Sequence, residues 1–79
     1  MSIELAIKYF KRASELARQL DIPRQEINHY LKKRRPIPLH TACAIDRATN
    51  GAVRAESLRG DVVWLRKGRR VVGYRVDLP

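Results

Sequence analysis

Residues 23–35 read PRQEINHYLKKRR, and five side chains within them, Arg24, Gln25, Asn28, His29 and Lys32, carry hydrogen-bonding groups at helical spacing. Arginine can donate two bonds to a guanine edge, and glutamine or asparagine can pair with adenine. A B-form major groove is wide enough to admit the helix that bears them. Lys33, Arg34 and Arg35 add consecutive cations, suited to gripping a phosphate backbone, a contact that fixes register without conveying sequence. Ser14, His40 and Thr41 sit near expected helix starts, where phosphate can meet unpaired backbone N–H groups. Ser14 and Thr41 have a second reading as local caps.

Other chemistry finds little material. His29 and His40 are the only histidines, Cys43 lies on an apolar helix face, and neither paired carboxylates nor a glycine-rich phosphate loop occurs. No catalytic residue is expected, and the chain does not read as an enzyme. A small basic ribonuclease toxin would need a general base with an orienting partner, and none can be named. A lone cysteine closes no internal disulfide and has no companion at zinc-ligand spacing, so no metal and no cofactor are expected.

The charge balance agrees with a polyanion partner: 17 Lys plus Arg against 8 Asp plus Glu give +9 over 79 residues. No apolar run approaches the roughly 20 residues of a membrane span. The N-terminal MSIELAIKYFKR has Glu4 where a signal peptide wants positive charge, and no small-residue cleavage site. The expectation is one small cytoplasmic domain with a modest core.

The elements that position these residues follow from apolar periodicity. Ile3, Ala6, Ile7 and Phe10 mark a first helix face, and Leu16, Ala17 and Leu20 a second after a break at Arg12 to Ser14. Pro23 starts a third helix, since its missing N–H is spare at a first helical position. That helix runs to about Lys33, with Ile27, Tyr30 and Leu31 inward and Glu26 in the first turn, where the helix dipole favours an acid. Arg35-Pro36-Ile37-Pro38 ends it, because residues preceding proline are steered from helical angles. Leu39, Ala42, Cys43, Ile45 and Ala48 form the stripe of a fourth helix closed by Asn50-Gly51 as a left-handed cap. A short helical turn follows around Ala55 to Leu58.

After Gly60 the composition shifts to DVVWLRKGRRVVGYRV, a β-hairpin flanking Lys67-Gly68. A two-residue and a three-residue loop pair different side chains; the latter would set Asp61 opposite Arg75 and Trp64 opposite Val72. The fold class is therefore α+β. Residues 1–60 form a helix-turn-helix DNA-binding unit of four to five helices, and residues 61–79 a hairpin extension of the same domain.

Two short helices joined by a tight turn, with Ala17 where they must approach, make the helix-turn-helix arrangement. Asp21 occupies the turn position usually held by glycine; aspartate tolerates left-handed angles better than most residues, though less well than glycine. If Ile27, Tyr30 and Leu31 face the core, the opposite stripe is free to meet base edges.

Over residues 5 to 64 the sequence resembles the Cro-like repressors of the YdaS type, small phage and prophage helix-turn-helix proteins. The elements that carry the likeness are Leu16-Ala17, Arg35-Pro36-Ile37-Pro38, Ala48-Thr49-Asn50-Gly51, Leu58-Arg59-Gly60-Asp61 and Trp64. Departures from the pattern are Asp21 for the turn glycine, Lys11 where a glycine commonly separates the first two helices, Tyr30 at a usual tryptophan position, and Gly60 for a proline. The resemblance implies transcriptional repression from an operator, in a phage lysis-lysogeny switch or a toxin-antitoxin operon, the latter with an unidentified toxin as partner.

Three uses compete for the hairpin. It could pair edge to edge with a second copy, serve as a wing whose Arg66, Lys67, Arg69 and Arg70 touch phosphates, or only cover the core. One recognition helix at about 1 to 3 kcal/mol per correct base pair discriminates too little for a genome-sized search. A homodimer on a palindromic operator is thus expected, with Trp64, Val71, Val72 and Tyr74 at its interface. The rival reading is an architectural or winged DNA-binding protein of excisionase type, or an RNA binder; stacking aromatics for the latter are scarce.

Overall fold

Each of the first four helices is followed by a non-glycine residue with positive φ: Lys11 (75°), Asp21 (56°), Lys33 (58°) and Asn50 (54°). These residues set the architecture, because each reverses the chain within one or two positions. A computed structural model describes residues 2–76. It contains α1 (Ser2–Phe10), α2 (Ala13–Leu20), α3 (Arg24–Leu31), α4 (Leu39–Ala48), α5 (Ala55–Leu58), β1 (Val63–Lys67) and β2 (Arg70–Arg75).

Three of the reversals close in the same way. Ile22 N–H donates to Ala17 O (3.0 Å) and Asp21 N–H to Arg18 O (3.2 Å). Arg34 repeats the pattern to His29 with Lys33 to Tyr30, and Gly51 to Asp46 with Asn50 to Arg47. This six-to-one and five-to-two pairing is the Schellman motif, which satisfies carbonyls the helix end would orphan. It moves the expected boundaries. Lys11 and Arg12 separate α1 from α2, so the expected break at Arg12 to Ser14 holds at Arg12 but not at Ala13 and Ser14, and α3 stops at Leu31 instead of Lys33. Pro23 is the N-cap of α3, with φ −63° and ψ 144°, so Arg24 takes the first helical position.

Two apolar clusters hold the elements together. Ile3, Ala6, Leu16, Ala17, Ile27, Tyr30, Ile45 and Val53 join α1 to α4 and the loop after it, with Ile7, Phe10, Leu20, Ile22 and Leu31 packed around them. Ala42, Ala55, Trp64 and Val71 form the second, which seats the hairpin on α4 and α5. Ile37 and Leu58 touch both clusters. Leu16, Ile27 and Ile45 are wholly buried, each contributing about 1.5 to 3 kcal/mol by removal from water.

The inward stripe of α4 departs from expectation at its end. Ala48 is exposed, whereas Asp46 and Thr49 are buried. Ala42, Ile45, Asp46 and Thr49 share one helical face, so geometry continues the buried stripe through two polar residues that hydrophobicity did not mark. Both are satisfied. Thr49 Oγ1 donates to Ile45 O (2.8 Å) and accepts Val53 N–H (3.0 Å). Asp46 Oδ2 accepts Ala55 N–H (2.8 Å), fixing the start of α5.

The strands pair antiparallel with Val63 opposite Arg75, Trp64 opposite Tyr74, Leu65 opposite Gly73, Arg66 opposite Val71 and Lys67 opposite Arg70. The loop is therefore the two residues Gly68-Arg69, with Gly68 at φ 66° in the first turn position. A register shift between Leu65 and Arg66 leaves Val72 as the extra residue of a bulge. Neither pairing of the three-residue alternative occurs: Trp64 faces Tyr74 rather than Val72, and Asp61 pairs with the Arg59 guanidinium (2.9 and 2.7 Å).

Candidate nucleic-acid interface

The turn between α2 and α3 sets the angle of the exposed helix. Ala17, almost fully buried, lets α3 approach α2, and Asp21 in the left-handed conformation reverses the chain so that Ile22 tucks against the same core. Glycine is best suited to that conformation, but aspartate achieves it here. Ile27 and Tyr30 then anchor α3 from below.

With those two inward, Arg24, Gln25, Asn28 and Lys32 are exposed and His29 is half-buried. Arg24 and Asn28 on α3 and Lys32 at its C-cap fall at intervals of four, and Gln25 and His29 flank that line. None of their side chains has a hydrogen bond or ion pair among the described residues. Donors and acceptors held outward on a packed helix without intramolecular partners are available to an external ligand.

Polar contacts beneath α3 hold it in place. Glu26 Oε2 accepts the Tyr30 hydroxyl (3.3 Å), and Oε1 accepts Arg35 Nη1 (2.8 Å). Burial first, and then the Glu26 carboxylate, push the Tyr30 phenol above its ordinary value, so it remains a donor. Glu26 thus ties the α3–α4 linker to the first turn of α3. The sequence signal for this was only the acid in a first turn with a tyrosine four residues on.

The expected phosphate contacts divide. Lys33, Arg34 and His40 are exposed, with His40 at the second position of α4. Ser14 is exposed at the second position of α2, whose N-cap is Arg12 without a side-chain cap bond, so Ser14 is not a cap. Arg35 is held by Glu26, with its side chain still 58% exposed. Thr41, expected at a phosphate, is instead buried on the inner face of α4 and cannot present itself to a backbone.

The interface residues expected on the hairpin divide in the same way. Trp64 and Val71 are buried in this chain's own second cluster, Trp64 donating Nε1–H to Arg59 O (2.6 Å), so they are not surface residues. Val72 and Tyr74 are about half exposed, as are Val63, Leu65 and Val76, which the expectation omitted. Arg66 is also removed from the phosphate-touching set. Its guanidinium meets Asp46, and it donates to both Glu56 oxygens (3.0 and 2.6 Å) and to Arg69 O (2.7 Å). Glu56 is consequently lowered to about 2, chiefly by the Arg66 hydrogen bonds and against the opposing effect of burial.

A model of the family described as "Bacterial toxin YdaS" matches residues 3–67. The chain belongs to the YdaS family. Among its relatives is an Escherichia coli K12 protein described as a candidate transcriptional regulator, YdaS, 39% identical over 51 residues. That alignment covers 65% of this chain and 52% of the relative, so the chain spans about half the length of the curated relative it matches. Among solved structures, the Cro protein of a candidate prophage element, Xfaso 1, in Xylella fastidiosa strain Ann-1 superposes with TM-score 0.70 at 33% identity. The match covers 76% of this chain and 91% of that one. The YdaS-type fold is thus the α+β helix-turn-helix of Cro type: five helices followed by an antiparallel hairpin. Neither named relative is described as an enzyme, and no helix among the described residues is long and apolar enough to cross a membrane.

Proposed function

We propose that this YdaS-family chain is a sequence-specific double-stranded DNA-binding repressor of Cro type, acting in the cytoplasm as a homodimer on a palindromic operator. The reading is carried by one observation: Arg24, Gln25, Asn28 and Lys32 stand outward and unpaired on a helix whose opposite face is locked into the core. Arg24, Gln25 and Asn28 read base edges, with His29 and Lys32 at the margin of the same groove. Lys33, Arg34, His40 and Ser14 grip the flanking phosphates, assisted by Arg35 where it extends beyond Glu26. The Cro relative and the regulator relative support the reading.

The dimer follows from specificity. Two α3 helices about 34 Å apart would read successive turns of one groove. The hairpin supplies the surface, with Val63, Leu65, Val72, Tyr74 and Val76 as its exposed apolar side chains. A nuclease reading has no comparable support: the two imidazoles lie on different helices, and neither has a hydrogen-bonded carboxylate among the described residues.

Selection of preferred duplexes from a random pool tests the proposal. A repressor enriches a two-fold symmetric site whose half-sites are about one helical turn apart. Enrichment of no sequence, or preference for single-stranded RNA, would replace this reading with the architectural or RNA-binding one.

A further inference from the structure

The outer corner of the fold, where the hairpin turn meets the end of α4, holds a concentration of arginine that the recognition helix does not use. Arg47, Arg69 and Arg70, with Asp46, Asn50 and Gly51, line a recess of about 310 Å3. Arg54 and Gly68 line the adjoining one. The two acids nearby are already committed: Asp46 to Arg66 and Ala55 N–H, and Glu56 to Arg66. Arg54 reaches Glu56 only at 3.8 Å, and Arg69 and Arg70 have no side-chain partner among the described residues.

Arg47 is pre-oriented. Its Nε–H donates to Val71 O (3.1 Å), which fixes the guanidinium plane and leaves its terminal nitrogens without an acceptor among the described residues. The negative end of the α4 dipole would favour Arg47 in the last turn, but it gives no reason for Arg69 and Arg70 on the hairpin. Arg66 holds the turn rigid through Arg69 O. Arg47 is therefore one fixed guanidinium fork, with the unpartnered Arg69 and Arg70 side chains beside it on a turn that Arg66 holds, a donor set that matches phosphate oxygens.

We infer that this corner is a second nucleic-acid contact, a clamp for the sugar-phosphate backbone outside the segment α3 reads, formed by Arg47, Arg69 and Arg70 with Arg54 at its edge. The inference rests on the reading of the chain as a duplex binder. An acidic protein partner fits less well, because protein interfaces need an apolar centre. Here the residues between the arginines are Asp46, already paired with Arg66, and Asn50, Gly51, Ala52 and Gly68, while the exposed apolar side chains lie elsewhere, at positions 5, 9, 63, 65, 72, 74 and 76. Arg47 lies seven positions after His40, about 10 Å along α4. The clamp thus extends the contact surface beyond His40 at the helix start.

The test uses the full chain and random-sequence duplexes. Arg69→Gln should reduce the slope of log affinity against log salt by about 0.9, the value of one lost phosphate contact. Lys8→Gln, the same charge change on α1, should leave the slope unchanged. Two arms separate the sources of backbone. Lengthening a short duplex should improve affinity for the parent chain but not for Arg69→Gln/Arg70→Gln if the clamp takes flanking phosphates. If it takes a second segment, the parent chain on an immobilised duplex should recruit a labelled one, and the double variant should not. The inference is overturned if Arg69→Gln and Lys8→Gln behave alike, or if poly-glutamate is bound through these arginines and neither arm responds. Gln25→Ala/Asn28→Ala keeps the claims distinguishable: it should abolish sequence preference while leaving the Arg69 effect intact, and failure of either result indicts only the corresponding site.

Discussion

The Arg66 guanidinium on β1 closes on the Asp46 carboxylate of α4, joining the hairpin to the helical body across 20 positions of sequence. Asp46 is almost fully buried and Arg66 nearly so. Removing Asp46 leaves Arg66 paired with Glu56 but takes its buried carboxylate partner and leaves Ala55 N–H without an acceptor. Asp46→Ala is therefore expected to destabilise the fold by about 1 to 3 kcal/mol in urea unfolding, and to free the start of α5. A loss below about 1 kcal/mol would show that the pair does not anchor the hairpin.

Glu56 provides a pH signature of the same network. Its folded value of about 2 lies below the ordinary 4.5. A depressed carboxylate contributes stability that is fully present above the unfolded value and disappears as pH falls through the folded one. The relevant window is therefore about pH 5 down to pH 2. The side chain is 42% exposed, so screening reduces the contribution to about 1 kcal/mol. Glu56→Gln should flatten the acid limb of stability across that window, measured by urea midpoints at successive pH values. An unchanged limb would remove Glu56 from the account.

Lys11 holds φ 75°, where a side chain costs about 1 kcal/mol relative to glycine. Lys11→Gly is predicted to stabilise the chain by about that amount, raising the thermal midpoint by roughly 4 to 8 °C for a domain of this size. A lower midpoint would mean that the lysine side chain contributes a contact outweighing backbone strain.

Much of this arrangement was legible in the sequence, and what escaped it shares a cause. Ile3, Leu16, Ile27 and Ile45 lie inward as their spacing requires, because apolar periodicity and helical geometry impose the same constraint. The positive-φ residue closing α4 was legible because Asn50-Gly51 is suited to it. Lys33 was not, because nothing in a lysine marks a left-handed turn, and Lys11 was marked only by the resemblance, as a position where a glycine commonly stands. Asp46, Thr49 and Arg66 escaped for a different reason: charged and hydroxylated residues read as surface, and only a partner distant in sequence makes their burial tolerable. The bulge at Val72 was hidden similarly, since a hairpin register depends on one turn conformation that Gly68 permits but does not dictate. At the candidate interface, the outward stripe of α3 was legible from periodicity alone. Burial of Thr41 was not, because a hydroxylated residue near a helix start reads as surface and only the packing of α4 on the rest of the fold makes it inward.

The hairpin's exposed apolar side chains make the dimer testable without touching the core. Val72 is 49% exposed and occupies the bulge. Val72→Asp should leave circular dichroism and thermal stability nearly unchanged while shifting sedimentation from dimer towards monomer. Sedimentation identical to the parent chain would place the dimer contact elsewhere.

The most direct measurement concerns the outward stripe of α3. On the duplex enriched by selection, at one fixed salt concentration, Gln25→Ala and Asn28→Ala should each lose about 1 to 3 kcal/mol of binding free energy, while affinity for random duplex stays within experimental error of the parent chain. Equal losses on the selected and random duplexes would contradict the claim that this helix reads bases, and would reduce its role to backbone contact.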